Sequence, residues 1–232
     1  MTVPTQDFYV MLPNVAASAV NKLVIYHHGY GETCSGPVTE AIAEKRALFL
    51  ALTGAGYIVA ASNAHLNNWG NDASQADYLE LYTFLHTCYN ITKVIYVGQS
   101  MGGLSSLLMV ASGAIPVVGF AGIYPACNLA DVYSNATFTA SINTAYSISG
   151  DYATKTAGHD PVLIAGASFT GKRMRFYASP DDVTVPAATN STAMAAVVAA
   201  YATESEVVAC TGVHGDPSHF QSADLLTFLG RC

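Results

Sequence analysis

Short, continuous apolar segments alternate with longer amphipathic segments along most of the chain. Buried strands are short runs rich in Val, Ile and aromatic residues, whereas helices repeat their apolar positions every three to four residues. The first pattern predicts strands at 8–12 (an edge strand), 22–28, 57–61, 93–97, 117–123, 172–179 and 206–210. The second predicts helices at 38–53, 72–89, from the 98–103 turn to about 111, at 187–202, and a final helix carrying Leu225, Phe228, Leu229 and Cys232. This alternation is typical of the α/β class, a mostly parallel central sheet flanked by helices.

Residues 126–170 break the alternation, because they are rich in Ser, Thr, Asn, Ala and Tyr and have weak periodicity. We interpret them as a small, lid-like excursion of short helices over one end of the sheet. No internal repeat and no linker interrupts the chain. Residues 1–232 are therefore predicted to form a single α/β domain, with 126–170 as its insertion.

Composition and charge exclude several kinds of partner. The 232 residues are 51% hydrophobic and 11% charged, which is typical of a globular chain with a sizeable core. The net charge is −7 with only 9 Lys and Arg residues, so no nucleic-acid partner is expected. No apolar run approaches the roughly 18 residues of a membrane span, so no span is predicted either.

The first residues, Met1-Thr2-Val3-Pro4, have neither a cationic start nor an apolar segment, so no signal peptide is expected in this chain. The low lysine content and the Ser/Thr/Asn-rich loops nevertheless favour an extracytoplasmic protein. Sequons for N-glycosylation begin at Asn90, Asn135 and Asn190, and they matter only in a glycosylating host.

The cysteines and histidines show no metal-binding pattern. Adjacent residues of a strand point to opposite faces, so His27 and His28 are not expected to share an ion, and no metal or cofactor is predicted. The 5 cysteines have no CxxC spacing. Cys34 and Cys127 both lie in loops at the edge where parallel strands end, so a disulfide, if present, is predicted to join them. Five reduced thiols are the equal alternative.

Gly98-Gln99-Ser100-Met101-Gly102 matches the pattern G-x-S-x-G. It follows a predicted strand and opens a predicted helix, the setting in which a serine is presented as a nucleophile on a strained turn. The flanking glycines fit such a turn, since a Cβ would clash with neighbouring backbone. Ser100 is therefore the candidate nucleophile, and the backbone N–H of Met101 is a candidate donor to an oxyanion.

A nucleophilic serine needs a base and an acid that orients the base, in the chain order Ser, Asp or Glu, His. Asp181 and Asp182 both follow the predicted strand 172–179, where an acid would lie on the same sheet edge as Ser100. His214 follows the last predicted strand, and His219 lies five residues further on. The residues alone leave both pairs of alternatives open, because a turn acid and a packed histidine are common structural features.

In these motifs the sequence resembles the α/β-hydrolase serine esterase family. The resemblance implies Asp182 as the acid, because Val185 and Pro186 follow it in the family's D-x-x-V-P pattern, and His214 as the base. His28-Gly29-Tyr30 resembles the family's HG-x loop, which implies the Tyr30 N–H as a second oxyanion donor. The chain departs from many members in having no large cap domain.

The resemblance implies a hydrolase of carboxylic esters, small or polymeric, that acts through an acyl-enzyme on Ser100. Thioesterase, acyltransferase and peptidase activities use the same residues and remain alternatives. A catalytically silent binding protein on the same fold is a further alternative, although such proteins usually lose a triad member. The acyl and alcohol components of the substrate are not predicted.

Overall fold

Seven strands form one sheet in the computed structural model, which describes residues 3–14, 21–39 and 42–232. The strands are β1 (Phe8–Met11), β2 (Lys22–His27), β3 (Tyr57–Ser62), β4 (Lys93–Gln99), β5 (Val117–Ile123), β6 (Arg173–Ala178) and β7 (Glu204–Ala209). Across the sheet they follow the order β1-β3-β2-β4-β5-β6-β7. Only β1 runs antiparallel to its neighbour, and the other five pairs are parallel. The predicted α/β architecture is confirmed.

Helices cover both faces of this sheet. They are α1 (Gly36–Thr39), α2 (Ala43–Gly54), α3 (Asp72–Cys88), α4 (Gly102–Ser112), α5 (Leu129–Ser134), α6 (Ala136–Tyr146), α7 (Tyr152–Lys155), α8 (Ser191–Val198) and α9 (Ser222–Arg231). Short 3-10 helices span Pro161–Leu163, Gly166–Phe169 and Pro217–His219. In the described part of the chain, no helix combines the length and apolar character that crossing a bilayer requires.

The alternation of side chains along the strands creates two separate cores. On one face, Val24 and Val97 pack with side chains of α2 and α9, such as Phe49 and Phe228. On the other face, residues including Leu23 and Tyr96 pack with α3, α4 and α8. A third cluster lies beyond the sheet edge and joins the 126–170 excursion to the domain through Met101, Leu129, Phe138 and Ile142. Each fully buried Leu or Phe contributes about 1.5–3 kcal/mol, so these clusters fix the sheet edge where the loops converge.

Two helices differ from the sequence prediction. The segment 38–53 is split between α1 and α2, and residues 40 and 41 lie outside the described ranges. The predicted helix 187–202 is only as long as α8, because Asn190 has non-helical backbone angles and its side-chain amide donates to the Pro186 carbonyl. After α8 the chain turns early, since Thr203 N–H donates to the Lys172 carbonyl and directs the chain into β7.

All 5 cysteines are free thiols, which is the second of the two alternatives, and the Cys34–Cys127 disulfide is absent. Both residues do lie in loops near one edge, but they pack into different cores. Cys34 belongs to the α2–α9 side and Cys127 to the opposite side. Different asparagine side chains hold the two backbones. Cys34 N–H donates to Asn63 Oδ1 at 2.8 Å, and Cys127 N–H donates to Asn190 Oδ1 at 2.9 Å.

Candidate active site

Ser100 occupies a tight turn between β4 and α4. Its φ angle is +48°, in the left-handed region that costs a non-glycine residue of order 1–3 kcal/mol. Hydrogen bonds hold the turn in this state: Ser100 N–H donates to the Ile123 carbonyl at 3.0 Å, and the Ser100 carbonyl accepts from Gly103 and Ala126. The side chain is thereby presented above the carboxyl end of the sheet.

Two glycines of the G-x-S-x-G pattern are required by close packing. A Cβ on Gly102 would lie 2.1 Å from the carbonyl oxygen of His27 in the neighbouring strand. A Cβ on Gly98 would lie 2.3 Å from Ser106 Oγ and 2.8 Å from the Gly102 carbonyl oxygen. Contacts below 3.0 Å to backbone cannot be relieved by a side-chain rotation, so any larger residue would displace the turn that carries Ser100.

His214 contacts Ser100 directly. Its Nε2 lies 2.8 Å from Ser100 Oγ, a good hydrogen-bond distance. The histidine lies in the loop that follows β7, and its ring packs edge-on against the ring of Tyr124 with centroids 4.7 Å apart. These two contacts restrict the imidazole to one position beside the serine hydroxyl.

Asp182 holds the other nitrogen of that imidazole. It lies after β6, and its Oδ2 is 2.7 Å from His214 Nδ1. Its Oδ1 accepts the N–H groups of Thr184 and Val185, both at 2.9 Å. Burial alone would raise the pKa of Asp182, but the hydrogen bonds from His214 and from these N–H groups outweigh it and place the pKa below its usual value. The carboxylate therefore stays ionised and can stabilise a charged imidazole.

The two rival residues occupy other positions. Asp181 is exposed and its backbone N–H bonds to Ser179 Oγ. His219 is buried with its Nδ1 bonded to the Asp216 carbonyl, and its ring packs against Tyr124 on the way into α9. Burial is the main cause that lowers the pKa of His219, which favours its neutral form. The structure thus brings Ser100, His214 and Asp182 together and leaves Asp181 and His219 outside the group.

Tyr30 and Met101 are the candidate oxyanion donors. Met101 follows Ser100 at the start of α4, and Tyr30 lies in the loop after β2. Among the hydrogen bonds of the described residues, neither backbone N–H has a protein acceptor. Tyr30 lines a cavity of about 250 Å³ together with Ser100 and His214. One small cavity is therefore lined by a hydroxyl and an imidazole in hydrogen-bond contact and by the loop that carries Tyr30.

No protein-family model matches the chain, and no curated protein is similar to it in sequence. Solved structures are similar in fold. The fluorophosphonate-binding serine hydrolase F of Staphylococcus aureus has a TM-score of 0.76 at 14% identity, over 96% of this chain and 91% of that one. The carboxylesterase Cest-2923 of Lactobacillus plantarum has a TM-score of 0.70 at 14% identity, over 100% and 94%. The chain has the α/β-hydrolase fold.

A larger protein with this fold is also similar. A prolyl endopeptidase has a TM-score of 0.75 at 13% identity over 97% of this chain, which spans only 36% of that protein. At such identities the likeness establishes the α/β-hydrolase fold and leaves the substrate open.

A buried polar network beneath the site was not predicted from the sequence. The Glu32 carboxylate accepts from Lys45 Nζ at 2.8 Å, from Tyr26 Oη at 2.9 Å and from the Gly29 N–H at 3.3 Å. It also accepts from the side-chain amide of Gln99, the residue before Ser100. The network therefore ties the loop that carries Tyr30 to the end of β4 that carries Ser100.

The sequence did contain a signal for this network. Lys45 lies at the same helical spacing as Leu48, Phe49 and Leu52, all of which α2 buries. A lysine on the apolar face of a helix is almost never buried without a partner. Glu32 lies in a loop, where no helical or strand pattern distinguishes it from other polar residues. Of this pair, only the burial of Lys45 could therefore have been predicted from the sequence.

Proposed function

We propose that this protein is a serine hydrolase that cleaves carboxylic esters through an acyl-enzyme on Ser100, with no cofactor. The observation that carries the proposal is the continuous hydrogen-bonded chain from Ser100 Oγ to His214 Nε2 at 2.8 Å and from His214 Nδ1 to Asp182 Oδ2 at 2.7 Å. A hydroxyl, an imidazole and a buried carboxylate in this order are the arrangement that activates a serine. The likeness in fold to solved serine hydrolases supports the same reading.

In the proposed reaction, Ser100 Oγ attacks the carbonyl carbon of the ester while its proton passes to His214 Nε2. Asp182 keeps the other ring proton on Nδ1 and stabilises the imidazolium. The N–H groups of Met101 and Tyr30 donate to the oxyanion of the tetrahedral intermediate. The proton then moves from His214 to the leaving alkoxide, and the alcohol departs. Water, deprotonated by His214, attacks the acyl-serine, which releases the acid and restores the Ser100 hydroxyl.

The excursion over the sheet completes the site in this proposal. Phe138 of α6 lines the cavity beside Ser100, and Tyr30 packs edge-on against it with ring centroids 5.5 Å apart. Residues 126–170 thus act as a small lid of the single domain rather than as an independent unit. A small, partly aromatic cavity is suited to a short acyl group.

The test is covalent labelling with a fluorophosphonate together with hydrolysis of p-nitrophenyl esters of rising chain length. We expect the label on Ser100, and a loss of kcat/KM of at least about 10³-fold in Ser100→Ala, since members of a triad act as a unit. Ser149→Ala, an exposed serine outside the site, is the matched control and should keep both signals. Wild-type turnover in Ser100→Ala, or labelling at another residue, would overturn the proposal. Hydrolysis of amides but not esters would replace it with a peptidase.

A further inference from the structure

A second, larger cavity adjoins the cavity of Ser100. This groove has a volume of about 590 Å³ and lies between the loop after β3 and helix α6. Tyr30 lines both spaces, so a molecule whose ester group lies at Ser100 can extend past Tyr30 into the groove. The proposed reaction itself requires only the smaller cavity.

The lining of the groove combines apolar side chains, such as Leu66, with polar ones. Its side chains include the amides of Asn67, Asn68 and Asn71 and the hydroxyls of Ser141 and Thr144. Among the described residues that line it there is no Lys, Arg, Asp or Glu. An anionic ligand would find no Lys or Arg to pair with. An alkyl chain would desolvate Asn67 Nδ2, His65 Nε2 and the Tyr30 hydroxyl without replacing their hydrogen bonds to water. The lining therefore suits a neutral ligand with many hydroxyl groups.

Three polar groups of the lining are fixed in position and available to a ligand. Asn67 accepts the Gly31 N–H on its Oδ1 at 2.8 Å, which orients its amide nitrogen. His65 is held through Nδ1 by Asp77 at 2.6 Å, and its side chain is 49% exposed. In the described part of the chain, neither Asn67 Nδ2 nor His65 Nε2 nor the hydroxyl of Tyr30 bonds to protein.

The groove also has an aromatic wall. The side chain of Tyr30 is 40% exposed, although Trp69 and Phe138 each support its ring with centroids 5.5 Å away. An aromatic ring held in this way presents a rigid apolar face with partial negative charge, and the C–H face of a sugar ring can pack against it.

The loop that forms the groove floor is strained and held rigidly. Four non-glycine residues of this loop have positive φ angles: Ala64 (+42°), His65 (+62°), Leu66 (+57°) and Trp69 (+50°). Each such backbone conformation costs of order 1–3 kcal/mol. Trp69 Nε1 donates to Ser141 Oγ at 2.8 Å, and the Trp69 carbonyl accepts from the hydroxyl of Tyr146 at 2.9 Å. Backbone strain that the surrounding structure maintains is concentrated at ligand sites, and a rigid site loses little entropy when it binds.

We propose that this groove binds a neutral carbohydrate and that the substrate is an ester of a sugar hydroxyl. The ester part of this inference rests on the proposed function, whereas the binding of a carbohydrate in the groove does not. A sugar enters such an ester as the alcohol component, so it remains neutral before and after hydrolysis. That property matches a groove without cationic lining. A sugar acid would leave a carboxylate in the groove, where the described lining has no Lys or Arg to pair with it.

Binding can be tested without any hydrolysis. The sequence has 1 tryptophan, Trp69, and it lies behind Tyr30 at the groove, so its fluorescence reports on the groove. We expect xylotetraose or cellotetraose to change this fluorescence saturably. Ala140→Phe fills the groove from the exposed face of α6 and should weaken binding at least about tenfold. Ala76→Phe, at an exposed position of α3 outside the groove, should not.

Hydrolysis provides the second arm. Acetylated xylotetraose and p-nitrophenyl acetate carry the same acyl group, so the ratio of their kcat/KM values isolates the contribution of the sugar. We expect Ala140→Phe to lower that ratio at least about tenfold, the same fold-change as in binding, and Ala76→Phe to leave it unchanged. Tetrasaccharides that leave the fluorescence unchanged, or an unchanged ratio in Ala140→Phe, would overturn the groove proposal while ester hydrolysis by Ser100 stands. Sugar binding by a protein that hydrolyses no ester would instead overturn the proposed function alone.

Discussion

Lys45→Met tests whether the buried network beneath the site positions the loop that carries Tyr30. The side chain of Lys45 is 0% exposed, and that of Glu32, 2.8 Å away, is 14% exposed. At this distance the attraction is about 6 kcal/mol with an effective dielectric constant of about 20. Desolvation offsets much of that gain, and removing one partner of such a pair costs about 3–5 kcal/mol. We expect a loss of about 3 kcal/mol, because Glu32 keeps its hydrogen bonds from Tyr26, Gly29 and Gln99.

The assays are urea unfolding and steady-state hydrolysis of p-nitrophenyl acetate. With the loop less firmly held, kcat should fall about tenfold or more while KM changes little. The reason is that a misplaced Tyr30 N–H would stabilise the transition state less but would affect substrate binding little. Lys155→Met, an exposed lysine, is the matched control and should shift the unfolding free energy by less than about 0.5 kcal/mol. Adding Glu32→Gln to Lys45→Met should recover stability, because both charges are then gone. A Lys45→Met protein with wild-type stability and kcat would refute the reasoning.

Asp182→Asn should leave the fold intact but lower kcat by about 10⁴-fold, because the amide cannot hold the Nδ1–H tautomer of His214. Single-turnover hydrolysis measures this loss, and a near-normal kcat would contradict the role assigned to Asp182. Because the pKa of Asp182 is lower in the folded state, its ionised form stabilises the fold above the unfolded pKa of about 3.9, and this contribution is lost as pH falls through the folded pKa. The Asn variant should therefore lose less stability than the wild type over that acid range in urea titrations. With a thiol reagent, the folded protein should react fastest at the exposed Cys88, whereas the buried Cys127, whose pKa burial raises well above its usual value, should react only on unfolding. Fewer than 5 thiols in unfolded, unreduced protein would show a disulfide after all.

The sheet could be predicted because its signals are local. Each strand buried on both faces is a short apolar run, such as Leu23 to Tyr26. The turn that carries Ser100 combines glycines with a strand-to-helix transition. Chain order then placed an acid (Asp181 or Asp182) and a histidine (His214 or His219) at the same edge, since parallel strands bring their carboxyl ends together. The resemblance to the esterase family chose Asp182 and His214 from these pairs. The edge at which these groups lie follows from topology and needs no knowledge of side-chain contacts.

The remaining features depend on contacts that have no local signal. The start of α8 is set by hydrogen bonds of Asn190, including one from the distant Cys127 N–H, rather than by helix propensity. The choice between a Cys34–Cys127 disulfide and five free thiols could not be made from the sequence, because an edge has two sides and loop positions alone do not say which core a side chain enters. In α6, Phe138, Ile142 and Tyr146 do recur every four residues, but the surrounding Ser, Thr and Asn obscured this short apolar stripe.

Backbone strain is not spread evenly over this molecule. In the described part of the chain, the non-glycine residues with positive φ are Ala64, His65, Leu66, Trp69, Ser100, Tyr124 and Ser147. All but the last lie in the loops directly after β3, β4 and β5, which surround the two cavities, and Ser147 ends the helix that forms the far wall of the groove. Such angles are unfavourable for the chain alone, so packing elsewhere must maintain them. The two cores on the sheet supply that packing, and the cluster around Met101 and Phe138 continues it beyond the sheet edge to the loops. The strained groove loop is thus built in the same way as the strained turn of Ser100, which is the physical reason for regarding the groove as part of the site.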